Sequence, residues 1–360
     1  MRRGFLAVLL FLVIVLAGAG WRFAPALRLA SDLARGAEIR SPEAGPTAPV
    51  TVRIAAGART ITADLYRPPA PRGALLLVHG LSRLGRRQPD LARLARRLAE
   101  RGQVVLVPHF EGLAAFRLNG AEVSDVRAAL LYLQSLAGGT GIAGFSFGAG
   151  PALLAAAGVP DLRVVGAFGG YADLRNVVAF ITTGVHGFAG RRYEHPPEEY
   201  NRWKLLALLS AFTESARDRA LLERIAARRL ADPGDDTGAL EADLGPEGRR
   251  LWALVTNRRE EDLPARLAGL PPAARAALDA LSPLPALGRI SGRLLVAHGA
   301  GDASIPFTES LRLAAAAGVQ PVIFRTFEHT GPRGLWHAPA DLLHDAWCLV
   351  RLADALLATR

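Results

Sequence analysis

The chain has 360 residues, with 43 Lys and Arg against 33 Asp and Glu, for a formal net charge of +10. Half of it is hydrophobic, which excludes an intrinsically disordered polypeptide. Its single cysteine, Cys348, excludes a disulfide scaffold and a cysteine-based zinc site.

Arg2 and Arg3 precede an apolar run from Phe5 to Gly20, closed by Trp21 and Arg22. A charged start followed by an apolar stretch is what a secretory signal needs. Ala17-Gly18-Ala19 offers a small-residue cleavage site. Retained, the same stretch is a membrane anchor about 25 Å long at 1.5 Å per residue. Residues 1–23 are therefore expected to be a signal peptide or membrane anchor, and 24–49 a juxtamembrane linker. The expected location is membrane-anchored or exported, at a bacterial inner membrane facing outward or secreted. Arg22, Arg28 and Arg35 on the far side of the run count against that orientation.

Val50 to Ile54 and Thr60 to Leu65 alternate around Gly57, which predicts a strand hairpin. Ala74 to Val78 and Val104 to Val107 are continuous apolar runs, as in strands buried on both faces. Leu91, Leu94, Ala95 and Leu98 form a helical stripe between them, and Val123, Val126, Leu130 and Leu133 mark a second helix. Gly141 to Phe145 predicts a strand, Ala149 to Ala157 a small-residue helix and Arg163 to Phe168 the next strand. From Asn176 to about Arg289 the pattern becomes mostly helical and charged. Strand and helix alternation resumes at Leu294 to Ala297 and Val322 to Phe324, before a last helix with Leu342, Leu343, Trp347 and Val350. This alternation predicts an α/β fold with a mostly parallel, helix-covered sheet and a helical block inserted in it. The basic residues carry no nucleic-acid signature: all but Lys204 are arginine, spread along helices such as Arg217 to Leu230, without a cluster beside groove-reading elements.

Gly144-Phe-Ser-Phe-Gly148 has the G-x-S-x-G form, with an apolar strand before it and a small-residue helix after it. Gly144 and Gly148 would leave room for the sharp turn that exposes Ser146. Asp302 follows the strand at Leu294, in the run Gly299 to Pro306, and His329 follows the strand at Val322. Both lie where open α/β sheets place functional groups. Asp173, just after the strand at Arg163, is the rival acid, and His337 and His344 are rival bases. His79 and Gly80 end the buried strand at Ala74, with His79 expected to brace the loop. His298 is expected to hydrogen-bond the sheet edge. His186 and His195 have no partner at metal-ligand spacing and are expected on the cap surface.

Together His79-Gly80, the turn at Ser146, the Gly-x-x-Asp-x-x-Ile-Pro run at Gly299 to Pro306 and His329 resemble the α/β-hydrolase superfamily. The resemblance covers roughly Val50 to Phe168 and Gly292 to the C-terminus; the HGGG oxyanion motif is replaced by His79-Gly80-Leu81. It implies an α/β-hydrolase core in two parts, 50–175 and 290–360, with a cap at 176–289. It also implies a serine hydrolase acting on a carboxylic ester or thioester, with Ser146 as nucleophile, His329 as base and Asp302 as acid. The backbone N–H groups of Leu81 and Phe147 would form the oxyanion hole. No metal or cofactor is expected, and the partner is a small acyl ester or lipid-like substrate, with the membrane reached through the N-terminal segment. An acyltransferase using the same three residues, or a non-enzymatic binding module, are the alternatives.

Overall fold

The structure is a computed structural model and describes residues 23–32, 47–329 and 338–358. Residues 23–32 are helical (α1). The expected signal or anchor, Phe5 to Trp21, lies outside the described residues. Among the described residues, no helix is long and apolar enough to cross a membrane.

In chain order the first part holds β1 (Val50–Ala56), β2 (Arg59–Tyr66), β3 (Gly73–Val78), α2 (Pro89–Ala99), β4 (Gln103–Pro108), α3 (Glu111–Ala114), α4 (Gly120–Leu136), β5 (Thr140–Phe145), α5 (Ala149–Ala156) and β6 (Val164–Phe168). The inserted block holds α6 (Leu174–Thr183), β7 (Val185–Phe188), β8 (Arg191–Glu194), α7 (Glu199–Ser210), α8 (Ala216–Ala231), α9 (Gly238–Ala242), α10 (Pro246–Val255), α11 (Leu263–Ala268) and α12 (Pro272–Ala280). The chain then returns through β9 (Arg293–Gly299), α13 (Thr308–Ala317), β10 (Val322–Phe324) and α14 (Pro339–Leu357).

Among the described residues eight strands form one sheet in the order β1-β2-β4-β3-β5-β6-β9-β10. Only β2 runs against the rest. The central strands are apolar on both faces because helices cover both: Leu75, Leu76, Leu77 and Val78 are all fully buried. Leu76, Val78 and Ile142 face the core shared with α4, α5 and the inserted block. Leu75, Leu77 and Val105 face α1, α2 and α14. On α2 the predicted stripe packs inward through Leu91, Ala95 and Leu98, and the Gln88 side chain accepts the Leu91 N–H at 2.7 Å to cap its start.

Besides its helices the inserted block holds a hairpin that its sequence pattern does not announce: β7 and β8 pair antiparallel, turning at Ala189 and Gly190, which both take positive φ. Leu208 of α7 is 1% exposed, packed in the hydrophobic core. Phe212 is only partly buried.

Candidate active site

The chain crosses from β5 into α5 through a single tight turn at Ser146, whose φ is +53°. This left-handed value is uncommon for a residue with a side chain and stores strain that the surroundings must hold. They do so by leaving no space for neighbouring side chains. A Cβ on Gly144 would lie 2.5 Å from Ala149 Cα, and one on Gly148 would lie 2.2 Å from the His79 carbonyl oxygen. Phe147 is the next residue, at the N-terminal end of the α5 turn, where backbone N–H groups are unpaired within the helix.

The loop after β3 lies directly over Ser146: a Cβ on Gly80 would be 2.8 Å from Ser146 Cβ and 3.2 Å from its Oγ. His79 holds this loop. Its Nε2 accepts the backbone N–H of Phe110 at 3.1 Å, which leaves the ring proton on Nδ1, and Nδ1 donates to the Gly80 carbonyl at 2.8 Å. In a trans peptide the carbonyl and the next N–H point to opposite sides, so the Leu81 N–H faces away from His79. Burial pulls the His79 pKa down to about 4, against the Gly80 hydrogen bond and with help from His109. The expected bracing role of His79 fits these contacts.

Asp302 sits in the loop after β9 with its side chain almost fully buried. Its Oδ1 accepts the backbone N–H groups of Ser304 and Ile305 at 2.8 and 2.9 Å. Its Oδ2 receives His329 Nδ1 at 2.6 Å. Burial alone would push this carboxyl up. The His329 charge and the hydrogen bonds from His298 and His329 outweigh burial and hold it well below the usual carboxylate range. Gly169, just after β6, lies beside the pair, and it is its left-handed φ of +59°, not lack of space, that favours glycine there: a Cβ would make only ordinary contact, 3.7 Å from Asp302 Oδ2 and 4.0 Å from His329 Nδ1. Ser146, Gly169, Asp302 and His329 thus follow β5, β6, β9 and β10, four adjacent strands, all at their carboxyl ends. Among the described residues no direct hydrogen bond joins Ser146 to His329; such contacts are often long without substrate and tighten when it binds.

The rivals are placed elsewhere. Asp173 caps α6, accepting the Arg175 N–H at 2.8 Å and the Ser282 hydroxyl at 3.3 Å. His344 lies in α14, 3.4 Å from the Ile323 carbonyl. His337 lies outside the described residues.

His298 does more than the expected edge contact. It is fully buried, and its Nε2 faces two acceptors, the Ile305 carbonyl at 2.9 Å and Asp302 Oδ2 at 3.1 Å, so Nε2 carries a proton. Its Nδ1 meets Ser310 Oγ at 2.7 Å. His186 is likewise not a free surface residue. It stacks on Tyr193, meets Thr308 Oγ1 at 3.0 Å, and burial pulls its pKa down to about 4, with His195 and His298 adding to the effect.

Sequence reasoning also misses Asn201 of α7, which is buried against the acid loop. It donates to the Ala303 carbonyl at 3.0 Å and accepts from Ser304 Oγ at 3.1 Å. The inserted block therefore reaches the carboxyl edge of the sheet. A cavity of about 180 Å³ lies beside α13, lined by Asn176, His186, Arg192, Glu309 and Arg312, without Ser146 or His329 in its wall. Among the described residues no group of His, Cys, Asp or Glu is arranged to hold a metal ion.

One reversed strand beside an otherwise parallel sheet, the strained serine turn after β5, and Asp302 and His329 after the last two strands define the α/β-hydrolase fold. No family model and no curated protein matches the sequence. Among solved structures, the chain is similar to a Mycobacterium tuberculosis puromycin-hydrolyzing peptidase, at 18% identity over 85% of this chain and 38% of that one, with a TM-score of 0.48. It is also similar to a Pyrococcus furiosus esterase, at 14% identity over 86% of this chain and 89% of that one, TM-score 0.48. A third is an acylaminoacyl peptidase of Pyrococcus horikoshii, at 14% identity over 79% and 38%, TM-score 0.44. The chain spans about 38% of the length of either peptidase. At these identities and scores, the fold assignment stands on this chain's own strand order and serine turn.

Proposed function

We propose that the protein is a serine hydrolase that cleaves a carboxylic ester or thioester through an acyl-enzyme. The observation that carries this reading is the buried Asp302 carboxylate paired with His329 at 2.6 Å, in the loops after β9 and β10, at the same sheet edge as the strained turn at Ser146 after β5. In the proposed reaction His329 takes the proton of Ser146 as its Oγ attacks the carbonyl carbon, then returns it to the leaving alcohol or thiol. Asp302 holds the imidazole in the tautomer with Nδ1 protonated and stabilises its cationic form. The Leu81 and Phe147 N–H groups stabilise the oxyanion, each contributing about 3 kcal/mol to the barrier reduction. Water, activated by His329, then releases the acid and restores the serine. The inserted block is the cap of this site, supported by Asn201 bridging it to the acid loop. The apolar run from Phe5 to Gly20 exports the domain or anchors it to the membrane.

A fluorophosphonate probe tests the reading. It should label the wild-type chain at Ser146 and leave Ser146→Ala unlabelled, and an activated short-chain ester should be cleaved only by the former. Equal turnover by Ser146→Ala would overturn it.

A further inference from the structure

Over the first half of α14, Asp341, His344 and Asp345 point at the protein while Leu342, Leu343 and Trp347 are exposed; the second half buries apolar residues such as Val350, Leu352 and Leu356 in the usual way. Asp345 is buried and accepts the backbone N–H groups of Arg325 and Thr326 at 2.9 and 2.8 Å. Asp341 pairs with Arg325 at 2.9 Å, and His344 meets the Ile323 carbonyl. The outward positions are Pro339, Ala340, Leu342, Leu343, Ala346 and Trp347, none of them charged. Leu343 is 72% exposed, Trp347 52% and Leu342 50%. Arg351, one turn further along the same face, is the first outward charge. A helix facing water carries the opposite pattern, so this face is built for an apolar neighbour.

The fold fixes which edge of the sheet this face adjoins. The contacts of Asp345 with Arg325 and Thr326 put the first half of α14 at the carboxyl end of β10, the edge that carries His329. Its far end lies at the opposite edge, where Arg163, just before β6, donates to the Ala355 and Leu356 carbonyls. Helix α1 is packed beside α14 through buried Ala26, Leu29 and Ala30. Its Asp32 pairs at 2.6 Å with Arg101, which precedes β4, so the end of α1 is at the opposite edge too. Its start, Phe23, meets the Trp347 ring at 5.7 Å. The apolar run from Phe5 to Gly20 thus joins the folded domain beside the exposed face of α14, on the side toward the catalytic edge.

We propose that Leu342, Leu343 and Trp347 rest on a lipid bilayer entered by that apolar run, with the catalytic edge turned toward it, so that the substrate is a membrane-resident acyl ester. A tryptophan and an arginine one turn apart suit the headgroup boundary, the indole amphipathic and the guanidinium reaching to phosphates. The seat on the bilayer is independent of the chemistry; the substrate class rests on the hydrolase reading above.

The test uses the full chain with Cys348→Ala and one new cysteine carrying an environment-sensitive fluorophore, in phosphatidylcholine and phosphatidylglycerol vesicles. Leu343→Cys reports on the proposed face, and Val50→Cys, 64% exposed on the far edge strand, is the control. Quenching by nitroxide-labelled lipid should be at least three-fold stronger at 343 than at 50. Equal quenching, or a chain that does not float with the vesicles, overturns the seat. An emission shift at 343 without lipid, with a doubled mass, assigns the face to a second copy and also overturns it. Leu342→Glu with Leu343→Glu should lower turnover of a vesicle-dispersed long-chain ester at least ten-fold and leave a water-soluble short ester unchanged. No loss on the dispersed ester overturns the substrate class. A parent chain that is quenched at 343 but cleaves neither ester overturns the hydrolase reading while supporting the seat.

Discussion

His298 Nε2 lies 3.1 Å from Asp302 Oδ2, the same oxygen that receives His329 at 2.6 Å. One carboxylate oxygen is thereby fixed between two imidazoles, while the other is fixed by two backbone N–H groups. A carboxylate so fully bonded cannot rotate away from His329, and its charge is retained despite burial. His298→Phe removes one charge-assisted bond worth about 1.5–3 kcal/mol. The expected outcome is a kcat about 10- to 100-fold lower with KM nearly unchanged, because the residue acts through Asp302 and does not touch substrate. His298→Gln, which keeps a donor, should recover part of the loss. Steady-state kinetics of both variants across pH decide it; a rise in KM with unaltered kcat would show that His298 does not work through the acid.

The acid itself can be separated from its rival. Asp302→Asn should lower kcat by about 10⁴, the scale expected when the third member of such a triad loses its charge and the imidazole its tautomer. Asp173→Asn should leave kcat within about two-fold. Asp173 is a helix cap, and its replacement should cost at most about 1 kcal/mol of stability. Turnover of an activated ester, measured beside a denaturation midpoint, distinguishes the two. Greater loss in Asp173→Asn than in Asp302→Asn would move the acid to the loop after β6.

What is legible in the sequence is what local physics dictates. Strands buried on both faces read as unbroken apolar runs, so β3 and β4 stand where Ala74 to Val78 and Val104 to Val107 place them. The serine turn reads from its glycines, because backbone approaching as closely as the His79 carbonyl does to Gly148 tolerates nothing larger. The contact of His298 with Asp302 is not legible. It depends on the acid loop folding back to bring Ile305 and Ser310 against a strand residue. The β7–β8 hairpin is hidden for another reason: its residues are half-exposed or exposed, with no buried face to impose alternation on the sequence. The outward apolar face of α14 reads from sequence as an ordinary amphipathic helix, because sequence does not say which side of the stripe faces the protein.

Gly148→Ala should be far more damaging than an ordinary glycine replacement. The added methyl would sit 2.2 Å from the His79 carbonyl oxygen and 2.9 Å from that of Val78, both backbone atoms of the central strand and the loop above the serine. Relief requires moving the loop over Ser146 or the start of α5. The expected cost is about 3 kcal/mol of stability, at the upper end for overpacking, with loss of most fluorophosphonate labelling at Ser146. Gly138→Ala, where nothing lies within 4 Å of the new atom and φ is not positive, controls for the loss of a glycine alone. A Gly148→Ala chain as stable and as readily labelled as wild type would show that the loop is not held against the turn as described.

The last prediction follows from the protonation of His79. Its folded pKa of about 4 lies below the ordinary histidine value near 6.5. Between those values the unfolded chain binds a proton that the folded chain does not, so stability falls as pH drops from about 6.5 to about 4 and levels off below that. Over the full window the loss is about 3 kcal/mol from this residue. The contact at risk is the Phe110 N–H, which a protonated Nε2 cannot accept and which would be left buried without a partner. His186, also lowered to about 4 by burial, adds the same loss to wild type and variant alike, so the difference between them reports on His79. Denaturation midpoints of wild type and His79→Gln at pH 7 and pH 4.5 check this. The variant begins less stable but should lose about 2 kcal/mol less than wild type on acidification, since it has no proton to take up at this position. Parallel losses in the two proteins would mean that folded His79 takes up its proton as readily as the unfolded chain does, and that its Nε2 is not held as the acceptor of the Phe110 N–H.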